Sequence, residues 1–223
     1  MMKKERRPQQ HTSLATPSLA TTLDAVLKPS TRGEYLAYGI SQLGSPPVMG
    51  LFGLIFIAAS LTVPGVWLWS GVYVIMAMVA PLLFLIWQVR HGHVTDLDVQ
   101  LREQRKGSLL VTIAGFGVSW LVMHIGHAPS LLKAMAGAGF VQWLVVFAIT
   151  LRWKISAHTT SAAGVTMLIL RVFGLAAVPL VISIPLIAWS RVKLRRHTLG
   201  QTIAGALLGS AVIVGAILLT PSL

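Results

Sequence analysis

Cysteine is absent from this chain, so neither a disulfide framework nor a thiolate-ligated metal organises it. Charge is also scarce. Asp, Glu, Lys and Arg make up 11% of the 223 residues, where a soluble domain carries roughly 25%. Acidic residues are the rarest part of that small set: six, against eighteen basic ones, for a net charge of +12. So little polar material cannot cover a water-facing surface. The chain is instead 55% hydrophobic, with a mean hydropathy of +0.76. Several apolar runs approach the roughly 20 residues that a helix needs to cross hydrocarbon. The composition therefore predicts an all-α, polytopic transmembrane helical bundle whose surroundings are the lipid bilayer. A basic excess in a soluble protein would suggest nucleic acid. Here the cations lie between apolar runs, which argues against a nucleic-acid partner and for a membrane one.

Residues 1–46 read as a polar leader, and residues 47–223 as the membrane domain. The first 22 residues, MMKKERRPQQHTSLATPSLATT, place charge beside no apolar core and so do not read as a cleavable signal. The stretch from Leu23 to Leu43 mixes apolar and charged residues, as a helix lying along the interface would. Apolar segments follow at about 48–64, 66–89, 108–125, 131–151, 160–174, 176–190 and 198–219. Gly174 and Pro179 divide the fifth from the sixth, and both are short. Six or seven membrane segments are expected, depending on whether that pair spans twice or forms one broken unit. With seven, the leader and the loops after the second, fourth and sixth segments share a side. All eighteen cations except Lys133 and Arg171 then fall on it, as do all six acids. The positive-inside rule makes that side cytoplasmic, with any ionic chemistry at the cytoplasmic face.

Three polar stretches meet there: RHGHVTDLDVQLREQRKG from Arg90, RWKISAHTTSAAG from Arg152, and SRVKLRRHTLG from Ser190. Together they offer Arg102, Arg105, Lys154, Ser156, His158, Arg191 and His197. Guanidinium groups bind phosphate through two parallel hydrogen bonds, and helix N-terminal amides assist. Two histidines beside such a cradle supply a nucleophile and a general acid with no metal or other cofactor.

These stretches resemble the motifs of the type 2 phosphatidic acid phosphatase superfamily: K-x6-R-P, P-S-G-H and S-R-x5-H-x3-D. Ser190-Arg191, five residues, His197, three residues and Gln201 follow the spacing of the third. Ile155-Ser156-Ala157-His158 follows the second loosely. Arg102-Glu103-Gln104-Arg105, preceded by Asp96-Leu97-Asp98, is similar to the R-x-E-R form of small bacterial members. The resemblance implies an integral-membrane phosphatase of a bacterial inner membrane, acting on a lipid phosphate or diphosphate monoester of phosphatidate or isoprenoid type. It implies His197 as the nucleophile, through a phosphohistidine, and His158 as the acid for the leaving alcohol. Arg191, Arg102, Arg105, Ser156 and Lys154 would hold the phosphoryl group. The chain departs from the pattern at Gln201, where the family's His-orienting residue is Asp, and at Ile155, Ala157 and Arg102. Two other readings follow from those departures: a binder of lipid phosphate with little turnover, and a relative acting on isoprenoid diphosphates by other chemistry.

Elsewhere, His91-Gly92-His93 reads as interfacial rather than as a metal site. Asp96 and Asp98 are expected to pair with Arg102 or Arg105 rather than to hold Mg²⁺.

Overall fold

The computed structural model describes residues 29–99 and 101–219, so most of the leader lies outside the described residues. In chain order the helices are α1 (Arg32–Leu43), α2 (Pro46–Ser60), α3 (Val66–Arg90), α4 (Arg105–Ile125), α5 (Ser130–Thr150), α6 (Ala157–Phe173), α7 (Ser183–Lys193) and α8 (Leu199–Leu219). A 3₁₀ turn at Arg102–Gln104 leads into α4, and a longer 3₁₀ stretch, Gly174–Ile182, joins α6 to α7. There is no strand among the described residues, and the bundle is all-α.

By length and composition α3, α4, α5, α8 and the helical run Ala157–Lys193 can each cross a membrane. That last run is 37 residues long, and its two ends touch: His158 Nε2 lies 3.3 Å from Arg191 Nη1. A straight helix would hold those residues roughly 50 Å apart. The run is therefore a hairpin, with its corner in the Gly174–Ile182 stretch around Pro179, where the sequence predicted a break. The expected first span is shorter than its apolar run. Helix α2 has 15 residues and reaches spanning length only together with α1, from which it bends by 50°.

Helix α1 falls within the Leu23–Leu43 stretch read as a helix, whose residues 23–28 lie outside the described residues. A capping box starts it: Thr31 Oγ1 accepts from Glu34 N, while Glu34 Oε2 accepts from Thr31 N. It then packs along α7 and buries Ala37 and Ser41.

Two sequence features shape the bundle around the site. Pro81 has no N–H to return to the Ala77 carbonyl, and α3 widens to π geometry over Val74–Val79 immediately before it. In α8, Gly205 and Gly209 face the first turns of α6. A Cβ on Gly209 would collide with the Thr160 carbonyl, and one on Gly205 with the Ser156 carbonyl. Glycine spacing of this kind lets helices pack backbone to backbone. It brings the N-terminal ends of α6 and α8 together, and with them His158 and His197.

Candidate functional site

The polar loops meet at one end of the bundle. Arg102 Nη1 donates to the Arg152 carbonyl (2.9 Å), Lys154 Nζ to the Arg196 carbonyl (2.9 Å) and Arg105 Nη1 to the Ile155 carbonyl (3.3 Å). Arg191 Nη1 crosses to Ser41 Oγ at 2.6 Å and to Asp98 Oδ2 at 3.1 Å. Four segments of the chain are thus tied to one another around Arg191.

A Schellman turn presents the third motif. The last turn of α7 closes with Arg196 N donating to the Arg191 carbonyl and Arg195 N to the Val192 carbonyl. Arg195 takes the left-handed position with φ of 56°, where glycine is usual. A side chain there costs on the order of 1 kcal/mol. The turn leads straight to His197. Thr198 and Gln201 then form a second capping box that starts α8: Gln201 N donates to Thr198 Oγ1, and Thr198 N to Gln201 Oε1, both at 3.3 Å. The same Oε1 accepts from His197 Nδ1 at 2.9 Å. An amide oxygen can only accept, so the proton of the neutral ring is on Nδ1 and the lone pair is on Nε2. That Nε2 is buried and has no hydrogen-bond partner among the described residues. Thr198-x-x-Gln201 was a readable capping signal, and the same amide oxygen also reaches His197.

Burial, followed by the cations Arg105, Arg191 and Lys154, pushes the His197 imidazole from its ordinary 6.5 down to about 3. The ring is therefore neutral at pH 7. Burial, again followed by the neighbouring cations, lowers the Lys154 ammonium to about 8. For Asp98, burial works the other way, but Arg191 and His158 outweigh it and hold the carboxyl below its ordinary value.

Of the residues predicted to form the site, His158, Arg105, Arg191 and His197 are buried together at this end. Ser156 caps α6, its Oγ accepting from Thr159 N at 3.4 Å. Lys154 braces the turn carrying Arg196. Arg102 does not join them: it is 40% exposed, pairs with Glu103 and satisfies the carbonyls of Leu151 and Arg152 at the end of α5. Asp98 pairs with Arg191 instead of Arg102 or Arg105, and its Oδ1 lies 3.8 Å from His158 Nε2. Sequence reasoning missed Ser41 as a partner of Arg191, and no local signal marks it. No group of three or more His, Asp and Glu is arranged to hold a metal ion among the described residues. His91 and His93 lean on the Trp87 ring, with centroids 4.9 and 5.4 Å from it.

Below this end a cavity of about 580 Å³ runs into the bundle, with Asp98, Arg105, His158 and Arg196 at its polar end and mostly apolar side chains beyond. No family model, curated protein or solved structure matches the chain.

Proposed function

We propose that the chain is an integral-membrane phosphatase of the type 2 phosphatidic acid phosphatase kind, acting on a lipid phosphate or diphosphate monoester at the cytoplasmic leaflet. The observation that carries this reading is the His197 side chain. Its Nδ1 is held by Gln201, while its Nε2 is buried, unprotonated and unpartnered among cations. Arg191 Nε is likewise buried without a hydrogen-bond partner, a donor left for a phosphoryl oxygen.

In the proposed reaction the Nε2 lone pair of His197 attacks phosphorus, and the bond from phosphorus to the lipid oxygen breaks. The departing alkoxide takes a proton from His158. Asp98 Oδ1 lies 3.8 Å from Nε2 of that ring. Arg191 and Arg105 neutralise the phosphoryl oxygens, and such positioning with charge compensation is the larger part of phosphoryl-transfer catalysis. Water then attacks the phosphohistidine and gives its proton to His158. The P–N bond breaks, inorganic phosphate leaves, and both histidines return to their starting states.

The test is phosphate release from prenyl phosphates and phosphatidate by detergent-purified protein. Release should persist in EDTA and be inhibited by orthovanadate, a mimic of the pentacoordinate transition state. No release from any of these substrates would favour the reading as a lipid-phosphate binder.

A further inference from the structure

We infer that Ser41, on α1, is a positioning residue for the anion site: its hydroxyl holds the Arg191 guanidinium in the orientation that leaves Nε open to a phosphoryl oxygen. The inference rests on the phosphate-binding half of the reading above and takes nothing from the phosphohistidine half. It brings α1 into a site otherwise built from the three polar loops.

Helix α1 turns Gly33, Ala37 and Ser41, each four residues from the next, toward α7. A Cβ on Gly33 would touch the Lys193 side chain, and one on Gly44, at the end of α1, would run into Ile187, one turn before Arg191. Ala37 and Ser41 lie buried between these contacts. Small side chains at this spacing share one helix face and let two helices approach closely. Buried hydroxyls elsewhere on these helices bond to the carbonyl one turn back, as Ser70 does to Val66 and Thr150 to Val146. The Ser41 oxygen reaches across the interface and accepts from Arg191 Nη1 at 2.6 Å.

Nη1 has two further acceptors, Asp98 Oδ2 at 3.1 Å and His158 Nε2 at 3.3 Å. Both are conditional. An arriving anion competes with the Asp98 carboxylate for the guanidinium, and His158 Nε2 accepts only while it carries no proton. Ser41 has no charge to gain or lose and is fixed on a packed helix, so it remains an acceptor in every state of the site. The Nε of the same guanidinium is buried with no hydrogen-bond partner among the described residues. A guanidinium is planar and rigid, so fixing Nη1 also fixes the direction of Nε. Without the Ser41 hydroxyl that orientation passes to Asp98, the group that competes with the ligand.

Orthovanadate titration of the full-length protein in detergent, read as the rise in melting temperature, tests this without turnover. The wild type should bind vanadate, and Ser41→Ala should bind it about tenfold more weakly, the loss expected for one hydrogen bond to a charged group. Ser41→Thr keeps the hydroxyl and should recover most of the affinity. If Ser41→Ala does not fold, Ser41→Cys makes the same test, being close in volume with a thiol that accepts poorly. A purely structural role for Ser41 would lower the melting temperature of the vanadate-free variant and leave its vanadate dissociation constant at the wild-type value. That result overturns the inference, as does equally weak binding by Ser41→Ala and Ser41→Thr, and in both cases the phosphate site stands. A wild type that does not bind vanadate would instead overturn the phosphate site, and the role of Ser41 with it.

Discussion

Arg191 and Asp98 form a 3.1 Å ion pair in which the guanidinium is 1% exposed and the carboxylate arrives from a loop 93 residues earlier. Asp98 therefore occupies part of the surface that a phosphoryl oxygen would need. It also compensates the buried cation while no ligand is bound. These roles oppose one another, and a neutral isostere separates them.

Asp98→Asn should lower the thermal stability of the ligand-free protein, because removing one partner of a buried pair costs about 3–5 kcal/mol. The same change frees Arg191 for an external anion. Added inorganic phosphate or vanadate should then raise the melting temperature of the variant more than that of the wild type. Thermal-shift titration measures both effects. An equal ligand response in the two proteins would mean that Asp98 does not compete for the anion position.

The backbone contact of α6 with α8 makes a second prediction. Gly209→Val places a side chain against the Thr160 carbonyl, which is main chain and cannot rotate away. Overpacking of this kind costs about 1–3 kcal/mol. His158 and His197 sit at the starts of these two helices, so phosphate release should fall together with the melting temperature. Gly215→Val, where a Cβ meets nothing within 4 Å, is the control and should change neither.

The part of this site that was readable in the sequence is the part set by local spacing. His197 and Gln201 are four residues apart across a helix start, so their hydrogen bond follows from the turn that joins them. The basic loops were placed together by charge alone, and contacts such as Arg105 to Ile155 join them in the structure. What was not readable depends on register between distant segments. Ser41 and Asp98 reach Arg191 from 150 and 93 residues away, and nothing in either neighbourhood names that partner. Arg102 looked equivalent to Arg105 by composition. It differs because the end of α5 stands beside it with unsatisfied carbonyls, which is a consequence of packing. Likewise, the hairpin in Ala157–Lys193 was suggested by Gly174 and Pro179, but only the meeting of His158 with Arg191 establishes it.

The environment of His197 gives a pH dependence with a definite sign. Its folded-state value of about 3 lies below the ordinary 6.5, so between the two the unfolded chain binds the extra proton. Stability should be unaffected by this group above pH 6.5 and should decline as pH falls from 6.5 toward 3. Asp98, whose value is also lowered, adds to the loss only below its ordinary 3.8. Melting temperatures in detergent between pH 7 and pH 4.5 should fall for the wild type, and His197→Asn should flatten the curve. A wild-type curve no steeper than that of the variant would contradict a buried, neutral His197.

Gln201 both caps α8 and orients His197, so its substitutions should separate reach from charge. Gln201→Leu removes the acceptor, and phosphate release should drop by roughly tenfold to a hundredfold, by analogy with partners that orient metal-ligating histidines. Gln201→Glu keeps the length of a capping box and adds a negative charge at a helix N-terminus, beside the imidazolium that develops on attack. Its rate should exceed that of the wild type. A rate for Gln201→Glu below that of Gln201→Leu would show that a carboxylate at this position does not assist.

In the proposed reaction His197 Nε2 becomes covalently bonded to phosphorus. Acid-free quenching of the protein during turnover of farnesyl phosphate, followed by peptide mass spectrometry, measures this directly. A phosphoryl group is expected on the peptide containing His197. It should be absent in His197→Ala, which is expected to fold and to release no phosphate. A well-folded His197→Ala protein that releases phosphate at the wild-type rate would contradict the account.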